Sequence, residues 1–266
     1  MPTARELLAF YLEAGVDCAL SETPVNRLVE EPAAEERPAP KPAPFRTANP
    51  APAPVFAEPA PAPDAAIVSA REIAPQAASL QELRDLLERF DGCALKSTAT
   101  RLVFADGNPQ ARIMFVGEAP GRDEDLEGLP FVGRSGKLLD LMMAAIGLDR
   151  STAYIANIIP WRPPGNRDPS PQETQICLPF IRRQIQLVDP DVLVCLGKPS
   201  SQAVLDLKDG IMKTRGKWFD YDTGTRKIKA MATFHPAYLL RQPIYKRLTW
   251  QDLRAVQKAL QAEKTA

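Results

Sequence analysis

The stretch that most clearly indicates the fold runs from residue 112 to residue 140 and reads RIMFVGEAPGRDEDLEGLPFVGRSGKLLD. It begins with a short apolar run, typical of a buried strand, and ends in apolar residues at helical spacing. Similar apolar runs occupy residues 153–159, 191–197 and 231–234. Helical patterns occupy residues 136–147, 170–188, 199–207 and 248–264. This alternation predicts an α/β fold, with three α/β/α layers around a central, mainly parallel four-stranded sheet.

The chain divides by composition into three parts. Residues 1–29 carry apolar side chains at helical spacing and predict a short amphipathic helix. Residues 30–77 are predicted to be a flexible linker, because proline and alanine dominate there and branched apolar side chains are rare. The globular domain is predicted to cover residues 78–266, and Ser79 with Glu82 fits a capping box at its first helix.

Charge and cysteine content restrict the function. The 33 basic and 33 acidic residues balance, so any contact with nucleic acid must be a local basic patch. No apolar run approaches the roughly 20 residues that cross a bilayer, and the N-terminal residues do not read as a signal peptide. The four cysteines are widely spaced without a CxxC pair, which favours reduced thiols in the cytoplasm over a disulfide framework.

A glycine-rich loop at residues 117–140 follows the first predicted strand, where parallel sheets bind their ligands. It carries carboxylates at Glu118, Glu124 and Asp125. The Walker spacing of a phosphate loop is absent, and three acids would repel a polyphosphate, so nucleotide triphosphate binding is set aside. The loop is then either a structural turn with solvated acids or part of a different kind of site.

Two further strand ends carry candidate site residues. Asn157 ends one strand, and its amide offers both a donor and an acceptor, the pair needed to read a pyrimidine edge. The rigid, basic segment WRPPGNR follows at residues 161–167. His235, the only histidine in the chain, begins the segment HPAYLLR. Taken alone, Asn157 could be a cap and His235 a structural residue, but an apolar pair beside a cation suits insertion into a base stack.

The order of these motifs along the chain makes the match to a known family more specific than any single motif does. GEAPGxxEDxxGxPFVGxxGxLLD, NIxxxRPPGNRxPxP and FHPAYLLRxP follow one another between about Phe90 and Lys258. In this order they closely resemble the motifs of family 4 uracil-DNA glycosylases. The resemblance implies an enzyme of DNA repair that flips uracil out of DNA and hydrolyses its N-glycosidic bond. Uracil and abasic DNA would be the products, and the substrate could be single- or double-stranded.

The resemblance also implies roles for individual residues. Phe131 would stack on the flipped base, and Asn157 would bond uracil N3–H and O4, which cytosine cannot match. His235 would donate to uracil O2 as a neutral imidazole, and Glu118 would orient the attacking water or the nucleotide. Glu124 would close the space that a thymine methyl group needs. The remaining uracil-binding positions are Gly117, Ala119, where the best-known enzymes have Asp, and Gly121, where they have Tyr.

A DNA-binding set follows from the same motifs. The HPAYLLR segment resembles an intercalation loop, with Leu239 or Leu240 as the wedge. The WRPPGNR segment resembles a loop that contacts the DNA backbone. The expected DNA-binding residues are Arg162, Pro163, Pro164, Asn166, Arg167, Lys198, Ser200, Tyr238, Leu239, Leu240 and Arg241.

One departure from the family concerns its iron–sulfur cluster, which four cysteines hold. Cys93 and Cys177 match two of these positions, but Phe90 and Trp161 stand at the other two. A four-thiolate site cannot form from these residues, and two aromatic side chains would fill the vacated volume. We therefore expect no metal and no cofactor. Recruitment of Cys18 and Cys195 as substitute ligands is the weaker alternative, because Cys195 lies in a predicted buried strand.

The sequence also bears on three other functions. A module that binds lesions or abasic sites with little catalysis is the main alternative, although the set Phe131, Asn157 and His235 is complete. A covalent-trapping branch of the superfamily is excluded, because its reactive histidine after the RPP-type loop is missing here. The N-terminal helix on its linker resembles a docking peptide for an unidentified protein partner, or else it folds back onto the domain.

Overall fold

The structure is a computed structural model that describes residues 63–262. The predicted N-terminal helix and most of the predicted linker lie outside the described residues. Nine α-helices are present within residues 63–262: α1 Pro63–Ile73, α2 Leu80–Arg89, α3 Arg122–Glu127, α4 Arg134–Ala144, α5 Pro171–Val188, α6 Lys198–Leu205, α7 Ile211–Thr214, α8 Pro236–Arg241 and α9 Lys246–Ala262. Short 3-10 turns cover Ala74–Gln76, Ala94–Ser97, Pro164–Asn166 and Pro243–Tyr245.

The central sheet contains the four predicted parallel strands and two more. The strands are β1 Asp106–Gly107, β2 Ile113–Gly117, β3 Tyr154–Asn157, β4 Val192–Leu196, β5 Trp218–Asp222 and β6 Lys227–Thr233. Their order across the sheet is β1-β3-β2-β4-β6-β5. The inner four are parallel, whereas β1 and β5 run antiparallel along the two edges. The α/β prediction is confirmed, but the sheet is mixed and six-stranded.

Successive side chains along each strand point to opposite faces of the sheet. The core therefore consists of two clusters, one beneath each layer of helices. In β2, Met114 and Val116 face the buried cluster that includes α2 and α5. Ile113 and Phe115 face the opposite cluster, which includes α4 and α9. Because both faces of the sheet are covered, the inner strands are apolar at almost every position, as a parallel sheet requires. Among the described residues no helix has the length and apolar character needed to span a bilayer.

Helix α1 lies in the region predicted to be linker. Its residues Ala66 and Ala70 are buried, and so is Ala74 in the turn that follows. The four-residue spacing of these small side chains forms one narrow face, which packs against α5. The folded domain therefore includes residues 63–77. The following helix α2 begins as predicted, because the Ser79 hydroxyl accepts a hydrogen bond from the backbone N–H of Glu82.

The region that matches the family's cluster site is packed with aromatic side chains. Phe90 and Trp161 are buried in the same cluster as Cys93 and Cys177. Phe90 also meets Phe180 edge-on, with ring centroids 5.0 Å apart. The sulfurs of Cys93 and Cys177 are 4.0 Å apart, so two thiols remain where four would be needed. These residues do not fit an iron–sulfur cluster, and packing takes over the role of ligation.

Replacement of Trp161 tests this packing. Because the side chain is 2 % exposed, Trp161→Ala should lower the free energy of unfolding by about 3–5 kcal/mol, measured by chemical denaturation. Trp250→Ala is the matched control, since Trp250 is 43 % exposed. This substitution should change the free energy of unfolding by less than about 0.5 kcal/mol. Equal effects of the two substitutions would show that Trp161 does not replace the cluster as a packing element.

Candidate active site

Most of the predicted site residues line one cavity at the carboxyl ends of the inner strands. It has a volume of about 660 Å³. The predicted residues that line it are Glu118, Ala119, Gly121, Glu124, Phe131, Asn157, Pro163, Asn166, Arg167, Lys198, His235, Tyr238 and Arg241. A larger cavity of about 980 Å³ lies beside β5 and contains none of the predicted residues. The chemistry is therefore assigned to the smaller cavity.

Asn157 presents an unsatisfied acceptor in this cavity. The residue ends β3 and is 5 % exposed. Its Oδ1 is the one buried side-chain polar atom in residues 63–262 without a hydrogen-bond partner. Leaving such an atom unpaired costs about 1–3 kcal/mol, so its retention points to a ligand that donates a hydrogen bond there.

The ring of Phe131 lies close to Asn157 across Gly117. A Cβ on Gly117 would lie 2.3 Å from Asn157 Oδ1 and 2.6 Å from Phe131 Cζ. Both distances are shorter than any normal contact, so only glycine leaves room at this position. The register of the parallel strands pairs Gly117 with Asn157 directly, which brings the amide and the aromatic ring together.

The backbone of Phe131 adopts a left-handed conformation with φ of +56°, which is costly for an aromatic residue. Its carbonyl oxygen sits against Gly136, where a Cβ would lie 1.6 Å from it. The guanidinium of Arg150 donates to this carbonyl and, at 3.2 Å, to the carbonyl of Pro130. Asp106 and Asp140 in turn hold Arg150 in ion pairs. The turn is therefore fixed from outside the cavity.

Glu124 fixes the same turn from the other side. One carboxylate oxygen accepts hydrogen bonds from the N–H groups of Val132 and Gly133, at 3.1 and 3.0 Å. The other accepts from the N–H of Gly121 at 3.0 Å. A Cβ on Gly121 would lie 2.8 Å from that oxygen, so Glu124 occupies the space beside Gly121. The carboxylate is thus a fixed wall of the cavity.

His235 is held as a neutral imidazole. Its Nδ1 accepts a hydrogen bond from the N–H of Ala237 at 3.1 Å, which leaves the ring proton on Nε2. Burial, and to a lesser degree the positive charge of Arg241, lower the pKa of His235 to about 4. The ring lies beside Phe131, with centroids 5.5 Å apart. At neutral pH the residue can therefore donate one hydrogen bond without carrying charge.

A buried ion pair supports the segment before His235. Asp252 on α9 accepts hydrogen bonds from the Thr233 hydroxyl at 2.7 Å and from Arg215. The guanidinium of Arg215 lies 5.9 Å from the ring centre of Phe234. Thr233 and Phe234 directly precede His235, so this pair fixes the end of β6 from which the imidazole projects.

Glu118 is another group of the cavity whose pKa is shifted by burial. Partial burial and the negative charge of Asp168 raise its pKa above the ordinary value of a glutamate. A carboxylate with a raised pKa is a better proton acceptor at neutral pH. Asp168, which also lines the cavity, was not predicted from the sequence, because an aspartate in a loop gives no signal of its position.

Two residues that were predicted to contact DNA are buried and do not line the cavity. Ser200 is fully buried and its hydroxyl donates to the carbonyl of Val116 at 2.6 Å. Leu239 is 1 % exposed and belongs to the core, whereas Leu240 is 37 % exposed and lines a neighbouring surface cavity. Helix geometry explains the difference, because adjacent residues on α8 point in different directions. Of the two leucines, only Leu240 can act as a wedge.

The other predicted DNA contacts lie around the cavity mouth. Arg162 bonds Asn166 at 2.7 Å and lies 3.9 Å from Asp125, and Pro164 is exposed nearby. Arg167 forms a two-pronged ion pair with Glu173, at 2.7 and 2.9 Å. Lys198 and Arg241 are exposed at the mouth.

The tautomer and pKa of His235 can be measured directly, since the chain has a single histidine and its imidazole signals need no assignment. We expect the imidazole to titrate near pH 4 in tag-free protein, measured by NMR, and to carry its proton on Nε2. Because the folded pKa lies below the unfolded value of about 6.5, the unfolded chain binds the proton first on acidification. Neutral His235 should therefore contribute fully to the free energy of unfolding above pH 6.5. This contribution should be lost as the pH falls towards 4. Titration near pH 6.5 would contradict this geometry.

Comparison with known proteins identifies relatives. The family model of the Uracil DNA glycosylase superfamily matches residues 104–254. The type-4 uracil-DNA glycosylase of Archaeoglobus fulgidus is 46% identical over 171 residues, which cover 62% of this chain and 86% of that protein. The type-4 enzymes of Saccharolobus solfataricus and Thermotoga maritima are 37% and 36% identical, and the matches cover 70% and 69% of this chain. They cover 88% and 96% of those two proteins. The chain therefore belongs to the uracil DNA glycosylase superfamily.

Proposed function

We propose that this protein excises uracil from DNA by hydrolysing the N-glycosidic bond between the base and its sugar. The observation that carries the proposal is the buried, unpaired Oδ1 of Asn157 beside Phe131 and His235. The names of the relatives as type-4 uracil-DNA glycosylases support the same activity. The products are free uracil and abasic DNA. The DNA substrate and the free thiols of Cys93, Cys177 and Cys195 favour a cytoplasmic location.

Base recognition rests on the Asn157 amide. Its Oδ1 accepts a hydrogen bond from uracil N3–H, and its amide nitrogen donates to O4. Cytosine presents an acceptor at N3 and a donor at its 4-amino group, so both contacts would be lost. Selection by such paired groups is strong, because the wrong base leaves buried polar atoms unsatisfied.

Two side chains shape the remainder of the base pocket. Phe131 stacks on the flipped uracil, a contact that is typically worth about 1–3 kcal/mol. Glu124 stands beside Gly121 and excludes a thymine methyl group, a role supported by the three backbone hydrogen bonds that fix its carboxylate. A carboxylate that the backbone holds in place cannot move aside for a larger base.

Bond cleavage uses His235 and Glu118. The N1–C1′ bond breaks as the sugar gains positive charge and uracil leaves as an anion. The Nε2–H of His235 donates to uracil O2, where negative charge gathers, and one such aimed donor is worth about 3 kcal/mol in the transition state. Glu118 orients a water molecule and accepts its proton as the water oxygen bonds C1′. Its raised pKa suits this role.

The phosphate backbone would contact the cations at the cavity mouth. Lys198 and Arg241 are exposed and line the cavity, which supports a role in binding the phosphates beside the flipped nucleotide. Arg162 and Arg167 would have to exchange or share their partners Asn166 and Glu173. A module that binds lesions without catalysis is not favoured, because His235 and Glu118 meet the base-reading residues in one cavity.

Uracil release from a labelled oligonucleotide tests the proposed function. The full-length protein should leave an alkali-labile abasic site opposite both guanine and adenine, and it should do so in EDTA, since the chemistry uses side chains alone. The single-turnover rate should not fall between pH 6.5 and pH 8.5, because His235 is already neutral there. Asn157→Asp is the matched variant and should slow uracil release while relaxing discrimination against cytosine. No cleavage at stoichiometric enzyme would favour the lesion-binding alternative.

A further inference from the structure

Ile244 is the most exposed large apolar side chain in the described part of the chain. It lies in the 3-10 turn Pro243–Tyr245 and is 77 % exposed. Four residues earlier, Leu240 is 37 % exposed at the edge of the cavity beside the uracil pocket. An isolated exposed side chain needs no explanation, but these two project from consecutive turns of one segment.

Stacked aromatic rings fix this segment. Tyr238 and Tyr245 stack with ring centroids 5.6 Å apart, and both meet the buried ring of Phe234, at 5.4 and 5.2 Å. Tyr245 is the neighbour of Ile244, and Tyr238 lies two residues before Leu240. The same stack therefore holds both apolar side chains in position, so the exposure of Ile244 is not that of a loose loop. Phe234 also adjoins His235, which ties the stack to the active site.

Three cations lie next to the two apolar residues in the sequence. Arg241, Lys246 and Arg247 are exposed, and none of them has a carboxylate partner within 4.0 Å in residues 63–262. Apolar side chains that project between unpaired cations suit a duplex, in which bases lie between two phosphate backbones. Arg241 lines both the uracil pocket and the neighbouring cavity at Leu240, so Leu240 lies next to the mouth of the pocket.

We propose that Ile244 is a second apolar contact to DNA, made to the strand opposite the uracil in a duplex. The inference rests on the proposed function. Leu240 lies at the rim of the pocket and fills the gap that the flipped base leaves. Ile244 is more exposed and adjoins Tyr245, whose ring packs against Tyr238 and Phe234 of the pocket. We assign it to the bases of the second strand, which a duplex supplies and a single strand does not. Lys246 and Arg247 then bind the phosphates of that second strand.

The test compares one uracil-containing oligonucleotide as a single strand and as a duplex. Ile244→Ala should lower kcat/KM on the duplex by about five- to tenfold, the scale expected when one partly buried apolar side chain is lost. Activity on the single strand should stay within about twofold. Leu141→Ala is the matched control, because Leu141 is 69 % exposed on α4 and should leave both activities unchanged.

A binding measurement separates this proposal from the proposed function. Affinity for a duplex that contains a stable abasic-site analogue does not depend on catalysis, and Ile244→Ala should weaken it about five- to tenfold while sparing the single strand. The double variant Lys246→Gln, Arg247→Gln should lower the slope of log affinity against log salt concentration for the duplex. The expected decrease is that of about two lost phosphate contacts. Equal losses on single strand and duplex, or no loss on either, would overturn the proposal and leave this surface to another partner, such as a protein. Absence of uracil release by the unmodified protein, with these binding differences intact, would contradict only the proposed function.

Discussion

The site depends on one backbone turn, at Phe131. A left-handed conformation at an aromatic residue costs on the order of 1–3 kcal/mol, and it persists only where the surroundings determine it. Here Arg150 binds the carbonyl side of the turn, Glu124 binds the N–H groups that follow, and Gly136 leaves the space that the carbonyl needs. The result is an aromatic ring placed beside Asn157 before any ligand arrives. Without this turn, the amide would have no stacking surface opposite it.

Desolvation then gives the polar groups of the site their chemical character. Burial lowers the pKa of His235 and raises that of Glu118, so one group stays a neutral donor while the other becomes a better base. The same burial makes the unpaired oxygen of Asn157 costly, which favours a ligand that donates a hydrogen bond to it. Burial of these groups at the strand ends thus underlies both the base recognition and the bond cleavage that we propose.

Strand periodicity predicted the inner sheet because it is a local signal. Most of the cavity residues were implied instead by the resemblance of the strand-end loops to family 4 uracil-DNA glycosylases. Sequence patterns missed features that depend on distant partners. Helix α1 was hidden by neighbouring prolines, and its alanines become a packing face only against α5. The edge strands β1 and β5 are too short or too exposed to give an apolar run. Arg150 acts on a turn that precedes it by some twenty residues, and Leu239 and Leu240 could be told apart only by their burial.

Recognition of uracil N3–H by Asn157 is tested most directly by the single-turnover release of the base from two otherwise identical oligonucleotides, one with uracil and one with 3-methyluracil at the target position. The methyl group removes the donor and leaves the N1 leaving group in place. We expect rapid release of uracil and a rate lower by at least about a hundredfold for 3-methyluracil, because the buried oxygen is then left unpaired and crowded. Release of both bases at similar rates would show that Asn157 does not recognise N3–H.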